Sequence, residues 1–149
     1  MRRIPPVAWF LALLGAAWGL ERGRALPLGL PSVEVRVAAA CVVFAAAAVV
    51  AGWAIVLFGR RKTTIVPFAE ASALVTTGPY RFTRNPLYVA LVASLAAFGL
   101  LLDSAWYLAG AALLALALDR FVIREEERRL AERFGEAWSG WAARVRRWL

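Results

Sequence analysis

Two groups of residues in this chain have the types and spacing to do chemistry. The first lies in Thr76-Thr77-Gly78-Pro79-Tyr80-Arg81-Phe82-Thr83-Arg84-Asn85-Pro86-Leu87-Tyr88, a stretch without apolar periodicity between strongly hydrophobic segments. Gly78-Pro79 reads as a turn, because glycine reaches backbone angles closed to other residues and proline fixes its own. Asn85-Pro86 reads as a helix start, with Asn85 as the N-cap and Pro86 at the first helical position. A helix that starts there leaves unpaired N–H groups and a positive dipole end at the membrane boundary. With Arg81 and Arg84 beside it, and Tyr80 and Tyr88 on either side, the place is suited to a small anionic group such as a carboxylate or phosphate. A positively charged loop that serves topology alone would use the same residues.

The second group is in Arg124-Glu125-Glu126-Glu127-Arg128-Arg129-Leu130-Ala131-Glu132-Arg133-Phe134-Gly135. On a wheel of 100° per residue, Ile123, Leu130 and Phe134 form one stripe. Glu126 and Glu127 flank that stripe, while Glu125 points nearly opposite. Salt bridging accounts for Glu125 with Arg129 and Glu132 with Arg128, which are at helical pairing distance. It accounts less well for two carboxylates that border an apolar face just below a membrane.

Composition narrows the chemistry further. The chain has 149 residues, 62% of them hydrophobic, a mean hydropathy of +0.64 and a formal charge of +8. One domain fits that length. Several near-continuous apolar runs identify a polytopic membrane protein. The basic residues lie at the ends and in the loops, which points to topology and lipid headgroups, and no nucleic-acid-binding motif accompanies them. There is no histidine, so a zinc centre and Ser-His-Asp chemistry are not expected, nor is any other metal site. The single cysteine, Cys41, cannot form an intrachain disulfide. Arginine outnumbers lysine seventeen to one, which we read as genome composition.

These groups must be held by apolar helices. The expected fold is all-α and membrane-integral, a single domain over 1–149. About four spans are expected, near 4–20, 37–58, 87–102 and 105–123, with an interfacial amphipathic helix in the tail 124–149. The first run has the basic start of a signal peptide, but Trp18 follows its small residues and no soluble domain comes after, so we take it as a span. Gly23, Pro27, Gly29 and Pro31 mark the next segment as a loop or partly re-entrant connection. The segment from Thr63 to Tyr80 is too broken to span and is expected to hold a short extended piece and a short interfacial helix. The third and fourth spans form a hairpin at Asp103-Ser104, one of which caps the fourth. At 1.5 Å per residue the third is roughly 24 Å long and barely spans. In the tail, Phe134, Trp138, Trp141, Val145 and Trp148 recur at helical spacing among arginines, as a membrane anchor would.

Positive charge sets the orientation. Arg60, Arg61, Lys62, Arg81 and Arg84 face a single acidic residue, Glu70, in the central loop. Arg2 and Arg3 lie at the amino end, and eight arginines follow Asp119. Four spans with both termini cytoplasmic satisfy all of this and bring both chemical groups to one face.

Gly78-Pro79-Tyr80-Arg81, Arg84-Asn85-Pro86-Leu87-Tyr88, Glu126-Glu127-Arg128-Arg129-Leu130 and Phe134-Gly135 together resemble a bipartite signature. It is that of the isoprenylcysteine carboxyl methyltransferase and phospholipid methyltransferase superfamily. In that superfamily the first half usually reads Arg-His-Pro-x-Tyr-x-Gly and the second Glu-Glu-x-x-Leu. Arg84, Pro86, Tyr88, Glu126, Glu127 and Leu130 match. Asn85 stands where histidine is usual and Ala90 where glycine is usual. Trp138 and Trp141 stand where tyrosines are common. The resemblance runs from about Thr63 to the carboxyl end.

The resemblance implies an integral-membrane enzyme that transfers a methyl group from S-adenosylmethionine to a lipophilic acceptor, a carboxylate or an amine. With the orientation set by charge, the site is expected at the cytoplasmic face, and the membrane is expected to be a prokaryotic cytoplasmic one. The expected cofactor-binding residues are Tyr80, Arg84, Asn85, Tyr88, Glu126 and Glu127. Arg84 and the helix start suit the cofactor carboxylate, and the glutamates suit its ammonium or ribose hydroxyls. No catalytic base is assigned, and the acceptor is not named by any residue. A non-enzymatic membrane assembly protein of the same architecture is the alternative. A small transporter fits less well, because no charge lies mid-span in the second or third helix.

Overall fold

A computed structural model describes residues 4–60 and 73–149. Arg2, Arg3, Arg61, Lys62 and Glu70, used above for orientation, lie outside the described residues, as does most of the segment after Thr63.

Six α-helices make up the described chain: α1 (Pro6–Gly23), α2 (Val33–Arg60), α3 (Pro86–Leu102), α4 (Ala105–Leu118), α5 (Arg124–Phe134) and α6 (Glu136–Ala142). Only two isolated bridges, and no strand, occur among the described residues. Among the described residues two helical runs are long and apolar enough to cross a membrane, Val33–Arg60 and Ala105–Phe134. The apolar part of the second ends at Ile123, since six consecutive charged residues begin at Arg124. On α2, Val42 is 69% and Val49 66% exposed. Leu113, Leu116 and Phe121 also face outward. An apolar exterior of this extent is suited to lipid and not to water.

The helices run alternately up and down. α3 lies between α2 and α4, and α1 packs on α4. Leu95, Leu114, Leu118, Val122 and Ile123 are buried at the centre, with Trp9, Phe10 and Leu13 of α1 packed against them. At the far end the 24–32 connection is hydrogen-bonded onto the α3–α4 turn. The Leu28 N–H donates to the Asp103 carbonyl, and the Ala105 N–H donates to that of Leu26.

Neither side chain expected to cap α4 does so. Ser104 donates its hydroxyl to Glu21, and the Asp103 carboxylate accepts the Leu30 N–H and pairs with Arg36. Tying down the loop satisfies more buried polar groups than a local cap would, so tertiary partners win. Asp103 itself adopts the left-handed backbone (φ 54°) that ends α3.

At the near end a second core cluster, Ala54, Val75, Tyr80, Trp138 and Trp141, joins α2 to the tail. The tail differs from the expected amphipathic anchor. Gly135 (φ 51°) breaks it into α5 and α6. Trp138 and Trp141 pack edge to face at 5.1 Å and are buried in protein. Their apolar periodicity therefore marks a docking face; periodicity alone does not say whether protein or lipid covers it.

Candidate functional site

The near end brings the two sequence groups together. Gly78–Arg81 forms a 3-10 turn, entered at Gly78 with φ 62°. A Cβ at Gly78 would collide with Leu57 and Trp53 of α2, so only glycine lets this turn sit against that helix. The turn buries Tyr80, whose ring meets Phe58 edge to face at 5.7 Å. Its carbonyl accepts the Trp141 indole N–H at 3.3 Å.

Asn85 stands at the N-cap position and Pro86 opens α3, as expected, but the Asn85 side chain makes no capping bond. Its amide donates instead to the Arg147 carbonyl at 3.0 Å. Thr83 supplies the local turn: its Oγ1 accepts the Asn85 N–H and donates to the same Arg147 carbonyl, both at 3.1 Å. The Arg84 N–H donates to the Arg146 carbonyl at 2.9 Å. The last residues of the chain thus form a strap across the start of α3.

Between α4 and α5 the helix makes a π turn over Asp119–Ile123. The extra residue per turn lets the adjacent side chains Val122 and Ile123 both bury, at 1% and 0% exposure. It also sets Arg124 against Asp119, five residues earlier, at 3.0 Å. From this turn α5 projects its glutamates as the wheel predicts. Glu125 pairs outward with Arg128 and Arg129, and Glu132 pairs with Arg128. Glu126 and Glu127 point inward to different partners.

Glu126 accepts the Tyr88 hydroxyl, with Oε1 and Oε2 both at 2.9 Å. Burial pushes its carboxyl up to about 7, although the Tyr88 bond and the Arg129 charge pull the other way. Burial and the Glu126 charge raise Tyr80 as well, so that phenol stays protonated. No ion pair to Glu126 occurs among the described residues. Glu127 is the opposite case. Arg147 donates to it from Nη2 at 2.6 Å and Nε at 3.1 Å, and Arg84 Nη2 lies 3.3 Å away.

Arg84 is the other unbalanced group. Its side chain is only 16% exposed and its guanidinium lies over the Trp138 ring at 6.0 Å. Its Nε is buried without a hydrogen-bond partner among the described residues. A buried donor of this kind costs free energy unless something else binds it. One end of the bundle therefore presents a cation with a spare donor and a carboxyl held near neutrality, an arrangement suited to a zwitterionic or cationic ligand.

A cavity of about 580 Å³ adjoins this site, lined chiefly by Pro6, Phe44, Ala47, Leu87, Tyr88 and Leu91. Its walls are almost wholly apolar, and Tyr88 is shared between it and the Glu126 pair. All six residues expected from sequence lie at this end of the bundle. Sequence reasoning did not single out Thr83, Asp119 or Arg147. Arg147 was one of eight tail arginines with no local feature to set it apart, and Asp119 showed only as a single charge at the end of an apolar run.

Residues 35–137 match the family model described as phospholipid methyltransferase. No curated protein and no solved structure matches the chain.

Proposed function

Because the chain belongs to the phospholipid methyltransferase family, we propose that it moves a methyl group from S-adenosylmethionine to a lipophilic acceptor at the cytoplasmic face of the membrane. The observation that carries this reading is the buried Nε of Arg84, without a hydrogen-bond partner, at the same end of the bundle as a Glu126 that has no ion pair among the described residues. S-adenosylmethionine has a carboxylate, an ammonium and a sulfonium, and when bound it supplies an electrophilic methyl group. Arg84 and the amino end of α3 suit the carboxylate. Glu126, held by Tyr88, suits the positive charge. Glu127 is already matched by Arg147 and leaves Arg84 a single longer approach. Asn85 is committed to the strap and orders the helix start, while Tyr80 and Trp138 wall the site from water. Methyl transfer requires alignment and a dry site more than acid–base help.

The apolar cavity supports a lipid-soluble acceptor, whose chain would lie between α2 and α3 with its reactive end toward Tyr88. Carboxylate and amine acceptors both fit these walls. Incubating the detergent-purified protein with methyl-labelled S-adenosylmethionine and lipids of each kind separates them. Label is expected in the organic phase with one class. Cofactor binding without transfer to either class would favour a non-enzymatic membrane protein of this architecture.

On this reading α1 to α4 are four spans, with the amino end, the central loop and the tail together on the cytoplasmic side. At 1.5 Å per residue α3 is about 26 Å long, enough with its flanks. Reporters fused after Leu149 and near Gly29 should report opposite sides of the membrane, and finding both on one side would contradict this orientation.

A further inference from the structure

The strap that closes over the start of α3 lies beyond the segment shared with the family model. Its Arg147 bridges two acids, Asp119 at the start of the π turn through Nη1 at 3.1 Å and Glu127 in α5 through Nε and Nη2. Its backbone takes the Arg84 N–H, the Thr83 hydroxyl and the Asn85 amide. One residue thereby joins both halves of the site. The contact with Glu127 has a specific consequence. A carboxylate and a guanidinium make their best pair as two parallel bonds. Arg147 has taken that arrangement on Glu127, and Arg84 is left with one longer approach of 3.3 Å and an unmatched Nε.

We propose that Arg147 is a positioning residue for the cofactor site: by occupying Glu127 and Asp119 it prevents Arg84 from collapsing onto Glu127 and keeps the Arg84 fork available to an anionic ligand. The proposal rests on the functional reading above and adds the strap to the site. Without Arg147, Glu127 would draw Arg84 into the paired geometry, and the strap would lose its ionic hold on α5. Arg144 is exposed on the same segment and makes neither contact, which suits it as a control.

The test uses the full chain in detergent and two readouts. Arg147→Gln should weaken S-adenosylmethionine roughly tenfold, within the range for residues that share a charged network. It should also speed hydrogen exchange at the Arg84 amide, which reads the strap with or without cofactor. Arg144→Gln should change neither. In an Arg84→Gln background, Arg147→Gln should cost no further affinity, because its effect passes through Arg84. Additive losses would overturn the proposal, as would faster exchange with unchanged affinity, which makes the strap merely structural. Should Arg147→Gln fail to fold, Arg147→Lys replaces it: lysine cannot bridge both acids and should show both effects in weaker form, and wild-type behaviour from it would also overturn the proposal. If the wild-type protein binds no S-adenosylmethionine, the functional reading fails and the positioning role falls with it, while the exchange rate still reads whether Arg147 holds the strap.

Discussion

Glu126→Gln is expected to weaken S-adenosylmethionine and, in the same protein, to raise thermal stability above neutral pH. Burial holds the Glu126 carboxyl at about 7 in the free protein, against an ordinary value of 4.5. Between those two values the folded state binds more protons than the unfolded state, so stability falls as pH rises through the window. Above pH 7 the charged, buried carboxylate is a net cost on the order of 3 kcal/mol, which glutamine removes while still accepting the Tyr88 hydroxyl. Binding has the opposite sign. A cationic ligand favours the carboxylate, so affinity is full above about pH 7 and declines as pH falls below it. The variant should lose roughly 1.5–3 kcal/mol of binding, the scale of a hydrogen bond to a charged group, together with this pH dependence. Melting curves at pH 8 and titrations between pH 6 and 8 check both signs. A variant that melts lower and binds with the wild-type pH profile would remove Glu126 from the site. Glu125→Gln, on the outward face, should change neither measurement.

The second large effect is expected at Arg84. If Arg84 served only as a positive charge at the cytoplasmic boundary, lysine would replace it without loss. The structure gives it more to do: a half-buried guanidinium over Trp138, a single approach to Glu127 and a buried Nε without a partner among the described residues. Lysine has neither the fork nor the flat face. Arg84→Lys should leave membrane insertion unchanged and weaken S-adenosylmethionine by about 1–3 kcal/mol, which is roughly 5- to 150-fold. Arg81→Lys is the matched control, since Arg81 is exposed in the same turn and should tolerate the change. Equal affinities for wild type and Arg84→Lys would return Arg84 to the topology class.

The parts of this fold that sequence made legible are those with a local cause. The break at Gly78-Pro79, the start at Pro86, the turn at Asp103-Ser104 and the opposite facing of Glu125 and Glu126 each follow from backbone chemistry or helical period. What escaped depends on partners distant in sequence. Asn85 and Ser104 sit where capping residues should, yet their side chains go to Arg147 and Glu21, more than sixty residues away. Trp138 and Trp141 have the spacing of a lipid anchor, and only the position of Tyr80 shows that protein covers them. The wheel placed Glu126 and Glu127 together beside one face. It could not separate a carboxyl bonded to a phenol from one matched by two guanidiniums, because that difference is made by Tyr88 on α3 and by the strap.

The most direct test of the account is a calorimetric titration of the wild-type protein with S-adenosylmethionine at pH 7, repeated in two buffers of different ionisation enthalpy. Saturable binding of one cofactor per chain is expected. So is a heat that changes with the buffer, because a carboxyl near half-protonation gives up about half a proton when a cation binds beside it. A titration with no saturable heat would contradict the proposed function, and binding with no buffer dependence would contradict the place given to Glu126.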